Sequence, residues 1–149
     1  MSTANLINVN HYHIIICGGG LAGLSLAYRA FQSGIWKNEK VLIIEPSTKE
    51  DNDRTWSFWQ KTPNSFNSII HHQWQQLVFY TNEGKKIKLD HQPYTYNTIR
   101  ALDFYRYTKQ YLSQLPQVTF TAEKAKQISN VKNGCLVTTE KQSYTCKFA

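Results

Sequence analysis

Residues 17–23 are Cys-Gly-Gly-Gly-Leu-Ala-Gly, a turn that fits the pattern G-x-G-x-x-G through Gly18, Gly20 and Gly23. The β-branched run at residues 13–17 just before it predicts a buried parallel strand. Apolar residues at helical spacing in 21–33 predict a helix that ends at Gly34, and residues 41–45 predict a second strand. Strand, glycine turn, helix and strand together predict a βαβ unit with a right-handed crossover.

Each glycine of the G-x-G-x-x-G pattern has a physical role in binding a dinucleotide. Gly18 permits the tight turn, Gly20 lets the backbone approach a pyrophosphate, and Gly23 lets the helix pack closely on the strand. The start of the helix offers unpaired N–H groups and the positive end of a dipole to the phosphates. We therefore predict a pyrophosphate site made of Gly18, Gly19, Gly20, Leu21, Ala22 and Gly23.

An acidic residue lies at the end of the second predicted strand, the position where a dinucleotide site has its ribose-binding acid. Glu45 ends the second predicted strand, about 20 residues after the glycine turn, where a carboxylate accepts hydrogen bonds from the ribose hydroxyls of an adenosine. A carboxylate there also repels a 2′-phosphate, which argues against NADP at this site. The alternative is a glycine-rich turn that merely packs well, with Glu45 on the surface.

The remaining segments predict a hairpin, a helix and a meander. Strands at 77–80 and 86–89 flank Asn82-Glu83-Gly84, and a helix is predicted over 98–114. Four short strands follow at 118–121, 127–131, 135–139 and 144–148, with Asn133-Gly134 as a two-residue hairpin turn. Polar and aromatic residues alternate in residues 49–67, and we expect a functional loop there rather than a helix or strand.

Composition narrows the class of protein. The 149 residues include 41% hydrophobic and 18% charged residues, which excludes a disordered chain because ample apolar surface is available for a core. The net charge of +7 is scattered and has no nucleic-acid-binding motif behind it, so no nucleic-acid partner is predicted. Three cysteines without a C-x-x-C indicate free thiols in a reducing compartment, and residues 1–10, without Lys or Arg, argue against a secretory signal. We expect a cytoplasmic protein.

The segment Asp-Asn-Asp-Arg-Thr-Trp-Ser-Phe-Trp at 51–59 is the second informative stretch. In a two-dinucleotide flavoprotein the loop after the second strand passes the pyrophosphate, where Arg54 would pair with phosphate oxygens. Trp56 and Trp59 supply flat apolar area that suits an isoprenoid or an aromatic ring. The alternative is a half-buried strand whose alternating aromatic residues belong to the core.

The glycine turn, Glu45-Pro46 and the stretch at 52–59 together resemble the amino-terminal part of the flavin-dependent lycopene cyclases. The resemblance covers nearly all of this chain but only roughly the first two fifths of such a protein. A whole protein of that family is longer than one typical domain. It implies an α/β, Rossmann-like two-dinucleotide (FAD/NAD(P)-binding) fold with a βαβ unit and an antiparallel meander, incomplete here. Residues 1–149 would be the amino-terminal part of the FAD-binding domain, without the substrate-domain half.

A further match lies at residues 94–105, where flavoproteins of the wider hydroxylase-like group place an arginine at the start of a helix. Arg100 stands in that place and would face the FAD phosphates. The alternative is a surface arginine on an amphipathic helix.

The resemblance implies an isomerase that closes the end groups of lycopene without net redox change. The end group is protonated, the carbocation is attacked by an internal double bond, and a proton is lost. FAD is the cofactor, kept reduced by NAD(P)H, and Trp56 and Trp59 are the candidate substrate contacts. The catalytic residues are expected outside this chain. Because lycopene is insoluble in water, the resemblance also implies peripheral membrane association.

Two other functions stay open. One is another FAD-dependent oxidoreductase of the geranylgeranyl-reductase or aromatic-hydroxylase type, which changes the mass of its substrate, whereas a cyclase does not. The other is a non-catalytic nucleotide-binding fragment. No metal site is predicted, because the five histidines lack the spacing and partner carboxylates of one.

Overall fold

The computed structural model describes residues 10–149, which belong to two compact units. Of the described residues, the glycine-turn unit comprises 10–48 and Thr108–Ala149, and the aromatic unit comprises Lys49–Tyr107. The elements in chain order are β1 (His11–Cys17), α1 (Leu21–Gln32), β2 (Val41–Ile44), β3 (Thr55–Gln60), a 3₁₀ turn (Asn67–Ile69), β4 (His72–Trp74), β5 (Leu77–Tyr80), β6 (Lys86–Leu89), β7 (Thr95–Arg100), α2 (Ala101–Leu112), β8 (Val118–Thr121), β9 (Ala125–Val131), β10 (Gly134–Thr139) and β11 (Ser143–Phe148).

The glycine-turn unit contains a six-stranded sheet in the order β8-β2-β1-β11-β10-β9. Strands β8, β2, β1 and β11 run parallel, and β10 and β9 continue the sheet in antiparallel pairing. All four residues of β2 are buried, as a parallel strand covered on both faces requires. The predicted βαβ unit and meander are confirmed, and the structure adds that both belong to one sheet.

The core of this unit lies on both sides of the sheet. Ile16 of β1 lies on the face that α1 covers. A Cβ atom placed on Gly23 of α1 would lie only 2.8 Å from the Cγ2 atom of Ile16. On the other face, Ile15, Leu42, Ile44, Val137, Tyr144 and Cys146 form one buried cluster. Helix α1 ends as predicted: Gln32 is its last residue, and Gly34 takes the left-handed backbone with φ of +79°.

The aromatic unit contains an antiparallel sheet in the order β3-β7-β4 and a separate two-stranded sheet of β5 and β6. Trp56 of β3 is half-buried and packs edge-to-face on Phe104 and Tyr105 of α2, with ring centroids 5.4 and 5.8 Å apart. Both α2 rings are almost fully buried. The core of this unit is therefore aromatic, and edge-to-face geometry suits the charge distribution of such rings.

The prediction of a loop over residues 49–67 is wrong, because Thr55–Gln60 form β3. Every residue of β3 pairs with β7, which satisfies the backbone groups that face β7 and leaves alternate side chains half-buried and exposed. The half-buried strand, the alternative considered above, is what the structure contains. The mixed polar and aromatic residues of this segment do not by themselves predict a strand, because the strand forms only by pairing with β7, which is distant in the sequence.

The helix predicted over 98–114 begins three residues later, at Ala101. Thr98 lies within β7, where it pairs with Ser57 on one side and with His72 on the other. Arg100 accordingly ends a strand instead of opening the helix. Pairing on both sides of β7 overrides the helical pattern of this short segment.

The two predicted turns have different outcomes. The hairpin strands at 77–80 and 86–89 are confirmed, with Gly84 at φ of +78° in their turn. In the meander, the turn lies one residue earlier than predicted, because Val131 pairs with Gly134 and leaves Lys132 and Asn133 between the strands. Gly134 is needed in β10 itself, where φ is +147° and a Cβ atom would lie 2.1 Å from the carbonyl oxygen of Cys146.

Candidate functional site

The glycine turn is tied to the two central strands by backbone contacts. The Gly18 N–H donates to the carbonyl of Ile44 at 2.8 Å, and Gly18 has φ of +119°. A Cβ atom on Gly23 would lie 2.1 Å from the Gly18 oxygen, which no real Cβ contact permits. The turn and the start of α1 therefore pack so closely that both positions require glycine.

Glu45 lies against this turn, as the sequence predicted for a ribose-binding acid. Its Oε2 accepts a hydrogen bond from the Gly19 N–H at 2.8 Å, and its Oε1 accepts one from the Ser47 N–H at 2.9 Å. The carboxylate thus fixes the turn and lies directly beside it, at the place where a ribose-binding acid is expected.

The same contact explains a glycine that the sequence pattern does not require. Position 19 is the variable residue of G-x-G, yet a Cβ atom on Gly19 would lie 2.9 Å from the Glu45 Cβ and 3.0 Å from its Cγ. A side chain at 19 would therefore push Glu45 away from the turn. Only the packing of these two distant positions shows why three glycines occur in a row.

The N-terminus of α1 is open, which is the property an anion site needs. Gly20 is its N-cap with extended backbone, and within residues 10–149 no side chain caps it. A Cβ atom on Gly20 would meet nothing within 4 Å, so space exists for a ligand. The first N–H groups of a helix have no carbonyl partner within it, and the first turn of α1 has no acidic residue. The residues present fit a pyrophosphate next to a ribose.

A second carboxylate, Glu123, lies in the same unit and was not identified from the sequence. The Glu45 N–H donates to the carbonyl of Thr121 at 3.0 Å, and the Thr121 hydroxyl donates to Glu123 at 3.0 Å. Backbone and side-chain hydrogen bonds therefore connect the ribose-binding candidate with Glu123. A lone glutamate after a short strand gives no sequence signal of this connection.

Glu123 is buried and surrounded by donors rather than by cations. Its other hydrogen bonds come from the Thr139 hydroxyl, the Tyr144 hydroxyl at 2.9 Å and the Gln142 amide at 3.1 Å. Burial alone would raise the pKa of Glu123, but the hydrogen bonds from these groups and Thr121 outweigh it and hold the pKa at about 2. The group is an ionised carboxylate that ties β10 and β11 to the end of β8.

Within the aromatic unit, Arg54 and Arg100 lie at the same end of the β3–β7 pair, because Thr55 pairs with Arg100. The Arg100 guanidinium binds Asp103 through Nε at 2.7 Å and Nη2 at 3.3 Å, and this hydrogen bond raises its pKa. The Arg54 side chain is 72% exposed, with its Nε 3.7 Å from Asp53. Arg54 therefore presents its charge to solvent, whereas Arg100 already has a carboxylate partner.

The segment before β3 also caps helix α2. The Ala101 N–H donates to the carbonyl of Arg54 at 2.9 Å, and the Leu102 N–H donates to the Asn52 side chain at 3.3 Å. The Tyr105 hydroxyl donates to Asp53 at 3.2 Å. Asn52 and Asp53 therefore have structural contacts, and the arginines flank a helix start whose N–H groups are partly satisfied.

The two candidate substrate tryptophans lie on opposite faces of β3. Trp56 is half-buried and packs on the buried aromatic rings of α2, whereas Trp59 is 50% exposed. Trp59 lines an apolar cavity of about 380 Å³ together with Leu89, Asp90, His91 and Tyr94. Trp56 and Trp59 therefore do not form one aromatic surface, and of the two it is Trp59 that is accessible to a ligand.

The cavity beside Trp59 has a wall held by hydrogen bonds. The ring nitrogens of His91 lie 2.6 Å from the Tyr94 carbonyl oxygen and 2.8 Å from the Gln75 carbonyl oxygen. The His91 ring packs on Trp59 with centroids 5.8 Å apart. These contacts fix the segment around residue 91 against the exposed tryptophan.

Comparison with known proteins agrees with this geometry. The family model described as lycopene cyclase protein matches residues 13–148. No curated protein sequence matches this chain. Similar solved structures include p-nitrophenol 4-monooxygenase PnpA from Pseudomonas putida DLL-E4, with a TM-score of 0.70 and 13% identity over 94% of this chain and 40% of that chain.

Two more solved structures show the same fold. A probable FAD-dependent monooxygenase, pqsL from Pseudomonas aeruginosa, has a TM-score of 0.68 and 12% identity over 92% of this chain and 41% of its own. A geranylgeranyl bacteriochlorophyll reductase-like protein from Thermoplasma acidophilum has a TM-score of 0.63 and 14% identity over 93% and 37%. The predicted Rossmann-like α/β fold is confirmed, and the chain spans about two fifths of the length of these proteins.

Proposed function

This chain belongs to the lycopene cyclase protein family, and we propose that it is the FAD-binding amino-terminal part of a lycopene cyclase of the β-cyclase type. The observation that carries flavin binding is the open N-terminus of α1 at Gly20, with the Glu45 carboxylate 2.8 Å from the neighbouring Gly19 nitrogen. A diphosphate and a ribose require these two groups side by side.

The residues that would hold FAD divide into two sets. The N–H groups at the start of α1, from Gly20 to Ala22, would donate to the diphosphate, and Glu45 would accept hydrogen bonds from the ribose hydroxyls. Arg54 and Arg100 of the aromatic unit are proposed as further phosphate partners from the sequence alone, and Arg54 has the more exposed guanidinium, because Arg100 binds Asp103. Glu45 also disfavours a 2′-phosphate, which supports FAD over NADP as the ligand of this turn.

The proposed reaction is ring closure of a lycopene end group without net redox change. When bound, FAD kept reduced by NAD(P)H would supply negative charge that stabilises a carbocation in a dry site. Of this chain's residues, Trp59 offers an accessible aromatic face beside an apolar cavity, where a cation–π contact contributes about 1–2 kcal/mol when desolvated. The half-buried Trp56 packs on helix α2. The acid that donates the proton is proposed to lie in the rest of the protein.

A second candidate function is an FAD-dependent monooxygenase or reductase. It is favoured by the solved structures, whose printed descriptions are of a monooxygenase, a probable FAD-dependent monooxygenase and a reductase-like protein. The mass of the product separates the two candidates. A cyclase returns a product of unchanged mass from lycopene, whereas a reductase or hydroxylase adds hydrogen or oxygen.

Flavin binding is tested with Gly20→Val in the full chain. The valine is expected to fold, because Gly20 has an extended backbone and open space around its Cβ position. It should weaken FAD binding at least about 100-fold, measured by flavin fluorescence titration, because the side chain fills the place of the diphosphate.

The matched control is Gln32→Val, an exposed position in the last turn of the same helix, which should bind FAD like the wild type. Circular dichroism checks that both variants keep the native secondary structure. If the wild-type chain bound neither FAD nor ADP, or if Gly20→Val bound FAD normally, the proposed site would be wrong.

A further inference from the structure

Two of the three cysteines lie directly opposite each other in the meander. Cys135 of β10 pairs with Cys146 of β11 in antiparallel register. Residues that face each other in this way have Cα atoms about 4.5–5.5 Å apart, and their side chains point to the same face of the sheet. A disulfide requires Cα atoms about 4.4–6.8 Å apart. The register therefore places both thiols within reach of one covalent bond.

The contacts of the two side chains agree with this register. The Cys146 thiol donates to the carbonyl oxygen of Cys135 at 3.8 Å. Cys146 belongs to the buried cluster on one face of the six-stranded sheet, and Cys135 packs against the same cluster. Both are free thiols in this structure. The two sulfur atoms therefore lie on one face of two paired strands, close together and not bonded.

The two thiols differ in their access to solvent. Cys146 is almost fully buried, whereas Cys135 is half-buried. Burial, and after it the proximity of the Cys135 thiol, raise the pKa of Cys146 to about 11, so Cys146 is a protonated thiol at neutral pH. A dissolved oxidant therefore meets Cys135 first. An accessible cysteine next to a second cysteine that resolves its oxidised form is typical of redox-sensing sites.

We propose that Cys135 and Cys146 are a site of reversible oxidation, at which hydrogen peroxide converts the two thiols into a cross-strand disulfide. In the first step the Cys135 thiolate attacks the peroxide, so that a sulfur–oxygen bond forms and the oxygen–oxygen bond breaks. Cys135 becomes a sulfenic acid, and the released hydroxide takes up the proton that the Cys135 thiol has lost, which gives water.

In the second step the Cys146 sulfur attacks the sulfenic sulfur of Cys135. The disulfide bond forms, the sulfur–oxygen bond breaks, and the Cys146 proton leaves with the hydroxide as a second water. In total, two thiols are oxidised to one disulfide and one peroxide is reduced to two waters. The buried Cys146 is a weak nucleophile, but the strand pairing holds it beside its target, and such proximity accelerates a reaction strongly.

The third cysteine is not placed for this reaction. Cys17 is exposed at the end of β1, five residues after Tyr12, and it is Tyr12 that pairs with Cys146. Cys17 therefore lies opposite neither member of the pair. The proposed site also uses none of the residues assigned to FAD, so it is independent of flavin binding.

The disulfide would join two strands that already meet at Glu123. Strand β10 supplies Thr139 and strand β11 supplies Tyr144 as donors to that carboxylate. A bond between residues 135 and 146 restricts the unfolded chain and leaves the paired strands in place. The oxidised protein should therefore unfold at a higher urea concentration than the reduced protein.

The test treats the reduced full chain, at low protein concentration, with a stoichiometric amount of hydrogen peroxide, followed by alkylation, tryptic digestion and mass spectrometry. Cleavage after Lys132, Lys141 and Lys147 places Cys135 in peptide 133–141 and Cys146 in peptide 142–147. The wild type should give these two peptides joined by a disulfide, with Cys17 still alkylated. Dithiothreitol should separate them by thiol–disulfide exchange.

Three variants separate the roles of the cysteines. Cys135→Ala should give no disulfide, and its urea midpoint should not respond to peroxide. Cys146→Ala should stop at the sulfenic acid, so dimedone should label peptide 133–141 at least about 10-fold more than in the wild type. Cys17→Ser is the matched control, at an exposed thiol, and should form the same joined peptides as the wild type. Circular dichroism checks that each variant is folded.

Several results would overturn the proposal. One is a wild type that keeps both Cys135 and Cys146 alkylatable after peroxide, or that forms its disulfide through Cys17 or between two molecules. Another is equal dimedone labelling of the wild type and Cys146→Ala, which would mean that Cys146 does not resolve the sulfenic acid. A urea midpoint that falls or stays the same on oxidation of the wild type would show that the native strands do not accommodate the bond.

Discussion

The glycine turn and strand β3 were both singled out in the sequence as cofactor or substrate sites, but they are built differently. The turn is made of backbone atoms and bare Cα positions, with Gly18 and Gly23 in direct contact. Strand β3 is made of side chains whose direction depends on pairing with β7. A site built from backbone is specified by the residues that leave room for it, whereas a site built from side chains depends on partners elsewhere in the chain.

Two substitutions test how far a site built from side chains depends on its partners: one at Phe104, on which Trp56 packs, and one at Trp59. Phe104, which packs on Trp56, is fully buried, so Phe104→Ala should lower the free energy of unfolding by about 3–5 kcal/mol. Trp59→Ala, at a half-exposed residue, should cost less than about 1 kcal/mol. Urea denaturation followed by circular dichroism measures both. Equal losses would mean that the two faces of β3 are not distinguished by burial.

The claim that the glycine turn depends on the absence of side chains is tested by adding one methyl group to it. Gly23→Ala places a Cβ 2.1 Å from a backbone oxygen that cannot move without moving β1, so a loss of about 3 kcal/mol is expected. Gly20→Ala, where the added Cβ meets nothing within 4 Å, should cost less than about 1 kcal/mol, because only the preference of an N-cap for glycine over alanine is lost. The measurement is the urea midpoint of each variant. A Gly23→Ala protein as stable as the wild type would show that the turn can relax.

Glu123 extends the comparison between backbone and side-chain sites. Together with its four donors it forms a side-chain cluster in the same unit as the glycine turn, which is built from backbone. Its pKa of about 2 lies below the ordinary 4.5, so the ionised form stabilises the fold. That contribution is complete above pH 4.5 and is lost as the pH falls toward 2. Glu123→Gln should therefore lower the free energy of unfolding by about 1–3 kcal/mol at neutral pH and by progressively less in acid.

The measurement is urea denaturation of the wild type and Glu123→Gln at neutral pH and at several values between pH 4.5 and 2. The two stability curves should converge as the pH falls. A difference between wild type and variant that stays constant over this range would show that the Glu123 charge does not contribute. Glu140→Gln is the matched control, because Glu140 is exposed and its nearest cation, Lys126, lies 3.9 Å away.

The sequence predicted the elements that depend on local signals. The βαβ unit, the hairpin around Gly84 and the end of α1 at Gly34 follow from apolar spacing and from glycines that adopt positive φ, and each is found in the structure. Strand β3 and the start of α2 at Ala101 were predicted wrongly, since both depend on β7, which lies about 40 residues from β3 along the chain. Non-local pairing leaves little trace in a short window of sequence.

For the candidate site, the sequence by itself predicted the glycines at 18, 20 and 23, the acid at Glu45 and the resemblance to the family, because their spacing after a strand is a local pattern. A positive φ at Gly18 and a backbone contact at Gly23 give the physical reason for two of these glycines. Only the tertiary structure decided that a side chain at Gly19 would displace Glu45, that Trp56 packs on α2 while Trp59 is accessible, and that Glu123 is held ionised by four donors. These outcomes depend on which distant side chains meet in space. Neighbouring residues in the sequence can predict a backbone turn, but they do not predict which distant residues will surround a side chain.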